Sequence, residues 1–322
     1  MCFTHRQLVL HTLGVSTIMG AIDSVRLLGT NDVYMPITPM FHVHAWGLPY
    51  VATMLGLKQV YPGRYDPEYL VELWRREKVT FSHCVPTILQ MVLNAKAAQG
   101  TDFGGWKIVI GGSALNRALY EAAKAKGIQL TAAYGMSETG PLVSCAHLND
   151  ELMAGSEDER TTYRIKAGVP GPLVEAAIID AEGNFLPADG EAQGELVLRA
   201  PWLSEGYFNE PQKGAELWEG GWLHTGDVAT LDSMGVIDIR DRIKDVIKTG
   251  GEWISSLDLE DLISRHAAVR EVAVVGIADP QWGERPFALL VIREGHEIGA
   301  RELKEHLKPC LLYTSDAADE GL

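Results

Sequence analysis

Residues 79–134 read VTFSHCVPTILQMVLNAKAAQGTDFGGWKIVIGGSALNRALYEAAKAKGIQLTAAY, and the alternation within them decides the fold. Val79 to Val85 predicts a strand, and Pro86 opens a helix running to Ala98. Lys107 to Ile110 predicts a second strand, Leu115 to Lys126 a second helix, and Ile128 to Tyr134 a third strand. Strands alternating with helices of this length imply a parallel sheet covered by the helices. In such sheets ligands bind beyond the carboxyl ends of the strands. Gly111-Gly112-Ser113 and Gly135 to Thr139 fall there.

Upstream, Thr4-x-x-Gln7 is a capping-box pattern, and Leu8, Val15, Met19 and Ile22 follow at helical spacing. Asp66-Pro67 caps and starts another helix, with Leu70, Leu73 and Trp74 on one face. The polar, acidic segment Asp150 to Thr162 predicts a surface loop. From Gly168 to Ile239 the texture changes to short strands (Glu175 to Ile179, Gly194 to Arg199, Gly235 to Ile239) separated by Gly, Pro and Asp turns, which predicts a small antiparallel sheet or barrel. After Asp241, Ser255-x-x-Asp258 caps a helix bearing Leu259, Leu262 and Ile263, and Val272 to Ile277 and Phe287 to Ile292 read as strands. The expected class is α/β: a parallel sheet with covering helices over residues 1–167, a β-rich subdomain over 168–241, and a partial α+β C-terminal domain over 242–309 that is expected to be mobile.

With 322 residues and 46% hydrophobic content the chain can bury two cores. A net charge of −15 with no cluster of Lys and Arg argues against nucleic acid as a partner. Cys2, Cys84, Cys145 and Cys310 are scattered, with no CxxC pair, which fits a reducing cytoplasm better than disulfides or a zinc site. The stretch after Arg6 is interrupted by His11, Thr12, Gly14 and Ser16, so it reads as an amphipathic helix rather than a signal peptide. No run is long and apolar enough for an integral membrane segment.

Three blocks carry chemistry: Tyr134-Gly-Met-Ser-Glu-Thr-Gly-Pro141, Trp222-Leu-His-Thr-Gly-Asp227, and Asp241-Arg-Ile-Lys-Asp-Val-Ile-Lys-Thr-Gly-Gly-Glu-Trp-Ile-Ser255. Singly, each has a structural reading. Glu138 could be a capping carboxylate, Asp227 a turn residue after a strand, Arg242 a surface partner of Asp241 or Asp245, and Lys244 an exposed loop lysine. In this order the blocks resemble the signatures of the adenylate-forming superfamily, whose acyl-CoA synthetases join a carboxylic acid, ATP and coenzyme A. Pro39-Met-Phe-His-Val-His-Ala-Trp-Gly47 narrows the resemblance to the branch activating medium- and long-chain fatty acids and related small acids.

The resemblance implies roles. Glu138 would coordinate Mg²⁺ and Ser137 contact phosphate, an oxygen-rich set suited to a hard cation. Ser137 stands where Thr is common. Tyr134, Gly135 and Met136, with Gly111, Gly112 and Ser113, would line the adenine site of ATP or AMP, Asp227 would accept from the ribose hydroxyls, and Arg242 would contact the ribose or a phosphate. Lys244 would be the hinge of the mobile domain, and Gly250, Gly251, Glu252 and Trp253 the loop presented to the site for thioester formation. His42 would border the acyl pocket and Trp46 would gate it, while His44 replaces the usual Asn. A homodimer is expected by analogy.

Two parts of the family pattern are expected to be missing, since Thr4-His5-Arg6 stands where a Gly/Ser/Thr-rich phosphate loop should already have passed, and no candidate for the C-terminal catalytic Lys remains. Residues 310–322 break the pattern and resemble non-native sequence. Losing one preorganised cation at a transferring phosphoryl group costs about 10² to 10³ in rate, so this chain is expected to be an impaired part of an acid-thiol ligase. Two alternatives stay open: an adenylating enzyme with an acceptor other than coenzyme A, and a non-catalytic nucleotide-binding protein.

Overall fold

The computed structural model describes residues 1–21, 26–249 and 252–311. They form two compact units: Met1–Thr225 with Ala229–Ile239, and Gly226–Val228 with the residues from Arg240 onward. Ile22 and the tail from residue 312 lie outside the described residues.

The first unit is built on a seven-stranded sheet. Strands β1 (Val33–Pro36), β2 (Lys58–Gln59), β3 (Phe81–Cys84), β4 (Lys107–Ile110), β5 (Gln129–Gly135), β6 (Leu142–Cys145) and β7 (Val169–Pro170) lie in the order β2-β1-β3-β4-β5-β6-β7. The first five are parallel, and β6 and β7 add on antiparallel. Successive strand residues point to opposite faces. Ile108 and Ile110 accordingly enter one core with Leu70, Leu89 and Leu119 of the helices Pro67–Glu77, Pro86–Asn94 and Arg117–Ala125. Val109 enters another with Val15, Ile18 and Met19 of the helix His5–Ala21 and Val51 of Leu48–Met54. Both faces of the sheet are covered, as the alternating pattern of residues 79–134 requires.

Local rules fix the helix ends. Asp66 accepts from Tyr69 N–H and Asn116 from Leu119 N–H. Thr4 and Gln7 form their reciprocal cap. The buried face of His5–Ala21 holds Val15 and Met19 as expected, with Leu8 half-buried, and it widens to take in Gln7, His11, Thr12, Gly14 and Ile18. Polar side chains pack inward here because each meets a partner. Gln7 Nε2 donates to the Leu203 carbonyl (2.7 Å), and His11 Nε2 accepts from Leu142 N–H (3.1 Å).

The expected loop at Asp150 to Thr162 is instead two short helices, Asp150–Ala154 and Glu157–Arg164. Asn149 caps the first, and a Ser156/Glu159 capping box starts the second. Acidic composition concealed a standard helix start.

The β-rich part is a five-stranded sheet of β8 (Glu175–Ile179), β9 (Gly194–Arg199), β10 (Trp218–Glu219), β11 (Trp222–Leu231) and β12 (Ile237–Arg242), in the order β10-β11-β9-β8 with β12 against β11. Its core gathers Ile178, Leu196, Leu198, Trp202 and Leu223. Asp227 therefore lies inside the ten-residue strand β11, not in a turn after it.

In the second unit β13 (Ile247–Thr249), β14 (Glu252–Ile254), β15 (Val269–Asp279) and β16 (Gly283–Ile292) form a sheet in the order β14-β13-β16-β15. Ile247, Val269 and Val274 pack with Leu259 and Ile263 of the helix Ser256–Ser264, which Ser255 caps through Asp258 N–H.

Candidate functional site

Within the first unit, the loops after β4 and β5 leave neighbouring parallel strands at their carboxyl ends. Gly111 is buried beneath the Trp46 indole, where a Cβ would meet the Ala133 carbonyl at 3.0 Å and the Trp46 ring at 3.4 Å. Gly112 takes φ +81°, a conformation glycine adopts without strain. The structure thus brings Trp46 against Gly111 and Gly112. Ser113 is exposed.

The block after β5 is a self-braced turn. Ser137–Thr139 form one 3-10 turn. Buried Thr139 donates its N–H to the Met136 carbonyl (3.0 Å), and its Oγ1 accepts from Met136 N–H (3.0 Å) and contacts the Pro141 carbonyl. A Cβ on Gly135 would overlap the Pro141 carbonyl. This bracing holds Tyr134, Ser137 and Glu138, all half-buried, at the strand end.

Glu138 is gripped from a remote segment. The Tyr207 hydroxyl donates to Glu138 Oε1 at 2.5 Å, and Ser204 N–H donates to the Glu138 carbonyl at 2.8 Å. Burial, and then the Glu138 carboxylate, push the Tyr207 phenol up to about 12. Sequence reasoning missed Tyr207, since nothing in its neighbourhood points to a residue so far back in the chain.

Residues 43–46 form a left-handed turn with φ between 46° and 60° at Val43, His44, Ala45 and Trp46. Such a run of non-glycine residues is costly and must be held by its surroundings. Trp46 is buried, with its ring 5.0 Å from that of His83. His42 and His44 are exposed, and His44 stands edge-on to Tyr50. His83, on β3, is another residue that sequence reasoning passed over. It is fully buried, its Nε2 pairs with the Tyr34 hydroxyl (2.8 Å), and its Nδ1 has no partner among the described residues. Burial, which penalises the charged ring, pushes it down to about 3. A neutral imidazole thus backs Trp46.

In the second unit the structure joins Asp227 and Arg242. Arg242 Nε donates to Asp227 Oδ1 at 2.8 Å, with Asp227 almost wholly buried and Arg242 half exposed. Gly226 at φ +69° bends β11 there, and its carbonyl accepts from Ile243 N–H (2.9 Å). Asp241 is not the partner of Arg242's guanidinium: it is buried, accepting from the backbone N–H of Arg242 (2.8 Å) and of Ser256 (2.6 Å) at the helix start. Lys244 is exposed, 3.9 Å from Asp245, in a turn closed by Asp245 and Val246 N–H on the Arg242 carbonyl. Gly250 and Gly251 lie outside the described residues, and Glu252 and Trp253 are described only as backbone of β14.

Among the described residues no group of three or more His, Cys, Asp or Glu side chains could hold a metal ion. Glu138 as a single carboxylate fits Mg²⁺, which takes one or two protein carboxylates and completes its shell with phosphate oxygens and water. No helix of the described residues is long and apolar enough to cross a membrane. Cys84 and Cys145 are buried free thiols, pushed up to about 12 by burial, and are inert at neutral pH.

Comparison with known proteins gives these loops a context. The AMP-binding enzyme family matches residues 1–208, and the AMP-binding enzyme C-terminal domain matches residues 258–311. The chain is similar to a long-chain-fatty-acid–CoA ligase of Thermus thermophilus, at 43% identity over 95% of this chain and 56% of the relative. It is also similar to a medium-chain-fatty-acid–CoA ligase of Ectopseudomonas oleovorans, at 36% identity over 94% of this chain and 54% of the relative. The chain therefore spans about half the length of these relatives. Among solved structures, the amide bond synthetase McbA of Marinactinospora thermotolerans superimposes with a TM-score of 0.80 at 26% identity, over 94% of this chain and 58% of that one. With the family's domain covering residues 1–208, this chain belongs to the AMP-binding enzyme family.

Proposed function

We propose that the protein to which this chain belongs is an acid-thiol ligase that activates a fatty or related carboxylic acid with ATP and passes the acyl group to coenzyme A. The observation that carries this reading is the pair of glycine-bearing loops at the carboxyl ends of adjacent strands β4 and β5, one of them presenting the half-buried Glu138 carboxylate. The names of the relatives, both CoA ligases of fatty acids, support it.

In the first step a carboxylate oxygen of the acid attacks the α-phosphorus of ATP, and pyrophosphate leaves with the bridging oxygen's electron pair. In the second, the sulfur of coenzyme A attacks the acyl carbon, AMP leaves, and the thiol proton is lost. Gly111, Gly112 and Ser113, with Tyr134, Gly135 and Met136, would receive the adenine, the glycines allowing close backbone approach. Asp227 would accept from ribose hydroxyls while Arg242 holds it in orientation. Ser137 would donate to a phosphate, and Glu138 would hold Mg²⁺, which when bound neutralises phosphate charge. Trp46, resting on Gly111, would close the acyl pocket that His42 borders.

Lys244 would be the hinge between the two steps, and Gly250, Gly251, Glu252 and Trp253 the loop that meets the pantetheine arm. A mobile C-terminal domain, a cytoplasmic setting and a dimeric assembly belong to the same reading. Mass spectrometry of reactions with ATP, Mg²⁺, coenzyme A and acids from propionate to palmitate tests it, with acyl-CoA as the expected product. Acyl-AMP that turns over only with an amine favours the second reading, an acceptor other than coenzyme A, which the resemblance to an amide bond synthetase supports. Nucleotide binding without any adenylate contradicts both.

A further inference from the structure

The segment Ser204–Tyr207 touches Glu138 twice, through its backbone carbonyl and through its carboxylate. We propose that Tyr207 is a positioning residue for Glu138, holding Oε1 of the carboxylate and leaving the other oxygen to ligate a divalent cation that enters with the nucleotide. The inference rests on the metal role of Glu138 proposed above.

A glutamate side chain has several rotatable bonds and loses them on binding a cation. A donor that already fixes it removes part of that cost, which is why partners of metal-binding carboxylates affect metal affinity although they never touch the metal. Tyr207 can serve only if it is fixed itself, and the segment shows how. Ser204 Oγ donates to the Gly206 carbonyl (2.9 Å), Trp218 Nε1 donates to the Ser204 carbonyl (2.9 Å), and Ser204 N–H is committed to Glu138. Gly206, at φ +150°, packs so closely on Gly214 that a Cβ would stand 3.0 Å from the Gly214 Cα. Tyr207 thus hangs from a clamped loop that is hydrogen-bonded to the residue it orients.

The test measures ATP affinity of this chain by calorimetry with and without Mn²⁺, for the unaltered protein, Tyr207→Phe, Tyr207→His and Glu138→Gln. In Tyr207→Phe the gain in affinity from Mn²⁺ is expected to fall about 10- to 100-fold, while metal-free ATP affinity and the thermal midpoint stay unchanged. Tyr207→His returns a donor and should regain part of the response, and Glu138→Gln should lose it. A full Mn²⁺ response in Tyr207→Phe, with Glu138→Gln unresponsive, overturns the role of Tyr207 and leaves that of Glu138 standing. Equal losses in both Tyr207 variants with a lowered thermal midpoint mark a merely structural contact and also overturn it. A response retained in Glu138→Gln, or absent from the unaltered chain, overturns the metal reading and this proposal with it.

Discussion

Gly135 has no side chain because none fits: a Cβ there would overlap the Pro141 carbonyl across the turn that presents Glu138. Gly135→Ala must push that turn away, which should cost about 1–3 kcal/mol and be visible as a lowered thermal midpoint. The buried imidazoles of His11 and His83 make a second prediction. Burial holds them down to about 4 and about 3, below the unfolded value of about 6.5. As pH falls below about 6.5 the unfolded chain takes up protons that the folded chain refuses. Stability should therefore decline by roughly 1.4 kcal/mol per pH unit for each histidine, until the folded value is reached. Denaturant midpoints between pH 7 and pH 5 measure this slope, and His83→Gln should make it shallower. An unchanged slope contradicts the burial argument. The glycines, Glu138 and Asp227 were legible in the sequence because they sit in short contiguous blocks. Tyr207 and His83 were not, since their partners come from distant parts of the chain.

At the scale of elements, strands β3 to β5 and the helices between them could be read because a parallel sheet buried on both faces needs continuous apolar runs. The strand β11 resisted reading because Gly226, at φ +69°, and Asp227 interrupt its pattern. Strand β2, of two residues, is too short to announce itself. In the helix His5–Ala21 the apolar stripe is buried as read, and Gln7 and His11 are buried beside it because they bond to Leu203 and Leu142. Gly14 on that helix lies against buried Trp202, where a Cβ would meet the ring at 2.9 Å. Helix propensity alone makes Gly14→Ala stabilising by about 1 kcal/mol. Overpacking against the indole costs about 1–3 kcal/mol, so the variant should be less stable than the unaltered chain in denaturant unfolding. A more stable variant would show that the helix slides freely over Trp202.

For the whole molecule, the two units offer the proposed reaction different tools: strand-end loops with Glu138 in one, the Asp227–Arg242 pair and the turn holding Lys244 in the other. If Lys244 is the hinge, Lys244→Pro in the full-length protein should slow thioester formation far more than adenylate formation, as followed by single-turnover quench. Equal losses would remove the hinge from the account. The measurement that reaches the central claim most directly is acid-dependent pyrophosphate release, with ATP, Mg²⁺ and a panel of acids from propionate to palmitate. It should be run on the full-length protein and on its Glu138→Gln variant. Release that requires an acid and falls by about 10²-fold or more in the variant is the result expected of an adenylating site at the ends of β4 and β5. Release with no dependence on acid, or none with any acid, would contradict it.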